Sequence, residues 1–248
     1  MQIANIVVPL RGDEADAQAL AAAFAAATPF GAHVEGLFAP DHIRAEARER
    51  ARIAFLEQAG RAGADVKAAP RPAGTLTAAY REAEDAQALA RIEAFADLIV
   101  LPHGAARDRG DFIRILMESG RPVLLAAAAP RPVARLAICW DGGLAAARAL
   151  AAALPFAATA HSIEILTVGA PGGIAAGAAA DYLALHGVTA SVRTLAQGTA
   201  PTGATLLRED ADLLVLGGYG HSRLVESVFG GTTRHILDRA PSAILMTH

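Results

Sequence analysis

A chain of 248 residues has room for one large domain or two of ordinary size. Apolar residues make up 53% of it, much of that alanine, and aromatics only 5%, which predicts helices packed closely on a sheet with few large side chains. The net charge of -3, with no basic run, gives no footing for nucleic acid or an anionic membrane.

In chain order, the opening "MQIANIVVPL" has neither a basic region nor a small-residue cleavage site, so a secretion signal is not expected. "IANIVVPLRGD" (3–13) predicts a strand and a polar turn, and the alanine-rich run 15–28 a helix. "HVEGLFAP" (33–40) predicts a second strand, 65–70 a weak third, 76–95 a helix, "ADLIVLPHG" (96–104) a fourth strand and "RPVLLAAA" (121–128) a fifth. "AAPRPVA" follows, whose prolines at 130 and 132 favour an extended linker.

The same series then repeats. "VARLAICWDGG" (133–143) matches the first strand and turn, and 144–154 the first helix. "SIEILTVGA" (162–170) matches the second strand, 189–195 the weak third, 200–210 the helix before "ADLLVLGGYG" (211–220), and "SAILMTH" (242–248) the last. The chain therefore reads as a duplication, with domains at 1–129 and 130–248. Each is α/β, an open parallel sheet of about five strands with helices on both faces. No apolar run reaches the ~20 residues of a membrane helix without polar interruption. A soluble cytoplasmic protein is expected. The one cysteine, Cys139, excludes an intramolecular disulfide and lies in the apolar "LAICW", where a buried, inert thiol is the simpler reading.

In such sheets ligands bind beyond the carboxyl ends of the strands, where strand order reverses. In the second half that place holds glycines. Gly217, Gly218 and Gly220 end the fourth strand, a short helical turn is expected over 221–229, and Gly230 and Gly231 precede "TTRHIL". Glycine lets backbone N–H groups approach phosphate, a helix start adds its unpaired donors, and Thr232 or Thr233 would cap that helix. The loop is neither a dinucleotide fingerprint nor a Walker A sequence.

Gly217–x–x–Gly220, nine residues and then Gly230 resembles the ATP-binding motif of the universal stress protein family. "LAICWDGG", "EILTVGA" and "GTAPTGATLL" are similar to that family's first strand, second strand and glycine-proline stretch, and the resemblance covers both halves. It implies two tandem Rossmann-like domains of the adenine nucleotide alpha hydrolase type and an ATP site in the second, with or without Mg. It further implies that Asp141 accepts a hydrogen bond from the adenine amino group and that main-chain groups at Val168 meet the base. Gly198 would lie near the ribose, and Gly217, Gly220 and Gly230 would line the phosphates. The family's Ser/Thr after the third glycine is Gly231 here, so its hydroxyl is lost unless Thr232 supplies it. For Asp141 an Asx-turn or helix cap is the competing reading.

The first half is a degenerate copy. Pro102 and His103 stand where glycine is needed, the second glycine bend is missing, and the counterpart of Asp141 falls near Leu10. This half is expected to be a structural partner, not a nucleotide site. Its last strand and that of the second half are apolar edges, which predicts an intramolecular pseudo-dimer and allows a homo-oligomer. His221, Ser222, Arg223, Arg234 and His235 lie beside the loop as further phosphate contacts or plain surface residues. Eight histidines without an HxxxH pair predict no metal centre, and no G-x-S-x-G elbow is present. Three functions compete. They are an ATP-binding stress-response regulator with protein partners, a slow ATP-hydrolysing enzyme, and an interaction module that binds no nucleotide.

Overall fold

A computed structural model describes the whole chain except residues 1, 39–44, 68–73, 108, 130, 170–171 and 219–230. It divides into two compact units, Met1–Pro132 and Val133–His248.

Unit 1 runs β1 (Asn5–Leu10), α1 (Ala15–Ala27), β2 (His33–Phe38), α2 (Ala45–Arg61), β3 (Asp65–Val66), β4 (Thr77–Glu82), α3 (Ala86–Glu93), β5 (Leu98–Leu101), α4 (Arg109–Glu118) and β6 (Val123–Leu125). Its sheet order is β3-β4-β2-β1-β5-β6, with parallel pairing throughout. Ile6, Val7 and Val8 of β1 and all four residues of β5 are buried, the continuous apolar run of strands covered on both faces. On α1 the buried residues are mostly alanine, which lets the helix lie close to the sheet. The space this leaves towards α2 is taken by aromatic rings. Phe24 and Phe55 lie 6.4 Å apart, and Phe55 and Tyr80 5.9 Å apart. Each such pair contributes about 0.5–1.5 kcal/mol beyond area burial.

One expectation fails here. Residues 76–95 are not a single helix, because 77–82 form β4, placed between β2 and β3 with Thr77, Ala78 and Ala79 buried. The helix starts only at Ala86, where the Asp85 carboxylate caps it by accepting the Ala88 N–H at 2.7 Å. The strand expected at 65–70 is reduced, among the described residues, to the two-residue β3 at the sheet edge. Unit 1 thus has six strands among its described residues.

Unit 2 runs β7 (Arg135–Cys139), α5 (Leu144–Ala157), β8 (Ser162–Val168), α6 (Ala176–Leu185), β9 (Ser191–Leu195), α7 (Thr202–Leu206), β10 (Leu213–Gly217), α8 (Gly231–Arg239) and β11 (Ala243–Thr247). Its order is β11-β10-β7-β8-β9, again parallel. The expected helix over 200–210 is the shorter α7. The expected caps Thr232 and Thr233 lie inside the first turn of α8, which already begins at Gly231. The turn expected over 221–229 lies outside the described residues.

The same carboxylate clamp fixes the first strand of each unit. Asp97 Oδ2 accepts the N–H groups of Ala4 and Asn5 at 2.8 and 3.0 Å. Asp212 Oδ2 accepts those of Ala134 and Arg135 at 3.1 and 2.8 Å. Asn5 therefore corresponds to Arg135, and counting along the strands brings Arg11 opposite Asp141. The counterpart of Asp141 is a cation, not Leu10. The turn that follows passes through a glycine of positive φ in both units, Gly12 at 75° and Gly142 at 83°. In each unit the chain leaves the first strand towards one side of the sheet and returns on the other. The switch points lie between β1 and β5, and between β7 and β10.

Candidate functional site

At the carboxyl ends of β7, β8 and β10 lies a cavity of about 270 Å³. Asp141, Val168, Gly217 and Thr232 all line it, together with Trp140, Thr202 and Thr233. These residues come from five separate stretches of sequence, and local rules bring each one in. Val168 is the last residue of β8, paired with Leu195 of β9. Gly217 ends β10 against the first turn of α5, where a Cβ would sit 2.4 Å from the Ala146 nitrogen and 2.5 Å from the Ala145 carbonyl carbon. No other residue fits that approach. Gly203 does the same for α7 and α8, since a Cβ there would lie 2.8 Å from the Thr232 carbonyl oxygen. That contact holds Thr202 and Thr232 on a common wall.

Asp141 is exposed, and its Oδ1 accepts the Gly143 N–H at 2.8 Å, an Asx-turn leading into α5. The turn leaves Oδ2 for a ligand, so the structural and ligand-binding readings of this residue are compatible. Trp140, nearly buried, donates its indole N–H to the Ile174 carbonyl at 2.8 Å and ties the end of β7 to the segment after β8. At the base Cys139 is held inert, because burial pushes its thiol up to about 12. It stays protonated at neutral pH.

Of the other residues singled out in the sequence, Gly198 is exposed and does not line the cavity, and Gly231 opens α8 without lining it. Gly220 and Gly230 lie outside the described residues, as do His221, Ser222 and Arg223. Arg234 pairs with Asp238 within α8, and His235 meets Arg239 there. Both are taken up by their own helix. Trp140, Thr202 and Leu206 were missed. Thr202 had a signal, since it falls inside "GTAPTGATLL"; Trp140 and Leu206 read simply as core. Among the described residues no cluster of three or more His, Cys, Asp or Glu could hold a metal. Nor is any helix of the described residues long and apolar enough to cross a membrane.

Unit 1 carries a larger crevice at the matching place, about 560 Å³ at the ends of β1 and β5. Several of its loop donors are already engaged. Asp16, buried, accepts the N–H groups of Arg11 and Gly12 at 3.0 and 2.7 Å. After β5, Pro102 has no N–H, that of His103 goes to Gln18 Oε1 at 2.9 Å, and that of Ala105 to the Pro102 carbonyl at 3.1 Å.

No protein-family model matches this sequence, and no curated protein matches it. Solved structures do. A universal stress protein from Archaeoglobus fulgidus DSM 4304 aligns over 100% of this chain and 99% of its own, with a TM-score of 0.71 at 16% identity. This is the universal stress protein fold. A protein from Pseudomonas aeruginosa UCBPP-PA14 assigned to the same group aligns over 99% of this chain and 93% of its own, with a TM-score of 0.64 at 18% identity. The cytoplasmic domain of a prokaryotic cation chloride cotransporter aligns over 99% and 96%, with a TM-score of 0.56 at 17% identity. A fold shared with part of a transporter does not by itself fix an activity, which has to be argued from the site.

Proposed function

We propose that the chain is a cytoplasmic regulator of the universal stress type that binds one adenine nucleotide, ATP with or without Mg, in unit 2 and acts through protein partners. The observation that carries this reading is the convergence of Asp141, Val168, Gly217 and Thr232 on one cavity at the sheet's switch point. Asp141 would take the amino group of the base and main-chain groups at Val168 its ring edge. Gly217, with Gly220 and Gly230 of the motif, would face the phosphates.

The described residues fit such a ligand at its phosphate end as well. Gly231, Thr232 and Thr233 are the first residues of α8, whose leading N–H groups have no partner within the helix and carry its partial positive charge. Thr232 and Thr233 both line the cavity, so a hydroxyl is at hand although the motif's own Ser/Thr position is Gly231. Asp141 is the one carboxylate among the described lining residues. It is committed on one oxygen to its own turn, which favours holding a nucleotide over activating water for its hydrolysis.

Mass spectrometry of the small molecules released on denaturing the purified protein tests the reading. ATP or ADP at about one per chain is expected, with turnover near background in a phosphate-release assay. Rapid turnover would make the protein an enzyme. If no nucleotide is released and none rebinds, the interaction-module reading stands in its place.

A further inference from the structure

Asp141 stands between two residues that are both fastened to Ile174, in the segment joining β8 to α6. Trp140, before it, donates its indole N–H to the Ile174 carbonyl at 2.8 Å. Gly142, after it, accepts the Ile174 N–H at 3.0 Å. The Asx-turn from Oδ1 to the Gly143 N–H then fixes the carboxylate itself. The two backbones can lie this close because both are bare where they meet. A Cβ at Gly142, where φ is 83°, would lie 2.9 Å from the Ile174 nitrogen and oxygen. One at Gly173 would lie 2.5 Å from the Gly142 carbonyl oxygen. Trp140 is 5% exposed, and a buried indole N–H is costly to leave without an acceptor, which makes its bond to Ile174 a fixed point.

Unit 1 holds the same turn by other means. Gly12, the counterpart of Gly142, gives its carbonyl to the Arg50 side chain of α2 at 2.7 Å. The counterpart of Trp140 is Leu10, which has no side-chain donor, and that of Asp141 is Arg11. The indole bond thus goes with the unit that carries the carboxylate.

We infer that Trp140 and residues 172–174 are a positioning brace for Asp141, and that the brace sets a preference for bases carrying an exocyclic amino group. The inference rests on the nucleotide reading of unit 2, whose cavity Trp140 and Gly172 both line. A carboxylate reads an N–H well only if it already points along the hydrogen bond and need not be ordered on binding. Without the brace Asp141 can turn, and the amino group loses its acceptor. The contacts at the phosphate end are untouched.

The test is calorimetry on the full chain with ATP and with purine ribonucleoside 5′-triphosphate, which lacks only the 6-amino group. Wild type should bind ATP about tenfold more tightly, the worth of one hydrogen bond to a charged acceptor. Trp140→Phe keeps a ring but no N–H. It should cut the ATP advantage to about twofold or less and leave affinity for the analogue within about twofold of wild type. Gly173→Ala, at an exposed position outside the cavity lining, should do the same by pushing the segment off the turn. In an Asp141→Ala background neither substitution should change the ratio further. A loss shared equally by both nucleotides would make Trp140 a packing residue and overturn the inference. So would an undiminished ATP advantage in either variant, or a further change of ratio once Asp141 is alanine. If wild type binds both nucleotides equally, Asp141 does not read the amino group, and the inference falls while the nucleotide site stands. If it binds neither, the nucleotide reading of unit 2 is what fails, and the inference falls with it.

Discussion

The two crevices occupy the same place in the same framework and offer opposite chemistry. In unit 2 the strand ends meet Gly217, three threonine hydroxyls and the start of α8. In unit 1 the equivalent strand ends meet Pro102, His103 and a ring of carboxylates, with an arginine where unit 2 has Asp141. The parts that hold each sheet together are nevertheless repeated: the Asp97 and Asp212 clamps, the positive-φ turn at Gly12 and Gly142, and the parallel register. After a duplication, residues that satisfy buried backbone groups are hard to change, whereas loop residues facing a cavity are not. The difference between the crevices is therefore a difference of loops.

The largest effect should come from the wall of unit 1. Glu93 is 1% exposed, and its partner Arg114 carries its charge more firmly for the hydrogen bonds between them. Arg114→Met would strand a buried carboxylate at a cost of about 3–5 kcal/mol. Urea unfolding followed by hydrogen exchange should show the loss in unit 1, with nucleotide binding by unit 2 retained. If unit 2 loses its protection to the same degree, the two units are not separable in this way.

A smaller effect is expected at Gly217. An alanine Cβ would press on the backbone of Ala145 and Ala146, costing about 1–3 kcal/mol and displacing the end of β10 from α5. Gly198→Ala, where a Cβ meets nothing within 4 Å, should be close to silent in stability. Equal costs at the two positions would show that Gly217 is not the tight contact described. Smallest is the hydroxyl at the start of α8. Gly231→Ser should tighten ATP binding by about 1 kcal/mol if the missing hydroxyl limits affinity. If instead Thr232→Val weakens binding while Gly231→Ser does nothing, Thr232 already supplies the contact, as its place on the cavity wall suggests.

Much of this was legible before the fold was seen, and the exceptions have physical causes. Buried strands such as "IANIVVPL" and "ADLLVLGG" announce themselves as continuous apolar runs, and their repetition exposed the duplication. β4 did not, because "TAAYRE" sits in an alanine- and glutamate-rich stretch that favours helix locally. Only pairing with β2 and β3 makes it a strand, a case of tertiary context overriding propensity. The placement of Leu10 opposite Asp141 missed by one residue, although Gly12 and Gly142 stand at matching places in "PLRGD" and "CWDGG", because a single shared glycine is a weak mark to align on. The clamps of Asp97 and Asp212 fix the alignment, but they join residues 92 and 93 positions apart in unit 1 and 77 and 78 in unit 2. At the unit 2 site, Asp141, Val168, Gly217 and Thr232 were readable from the motif and strand ends. Trp140 and Leu206 were not, because a core residue and a cavity-lining residue look alike in sequence. The unit 1 crevice was invisible for the same reason: its walls are helices α3 and α4, and its emptiness depends on how they pack.

The claim that one crevice kept a nucleotide chemistry and the other lost it is tested most directly by the stoichiometry of ATP binding to the full chain. Isothermal titration calorimetry should give one ATP per chain, removed by Gly220→Val in the motif. Two ATP per chain would contradict the account at its centre, because the crevice of unit 1, lined by Pro102, His103 and four carboxylates, would then hold a polyphosphate.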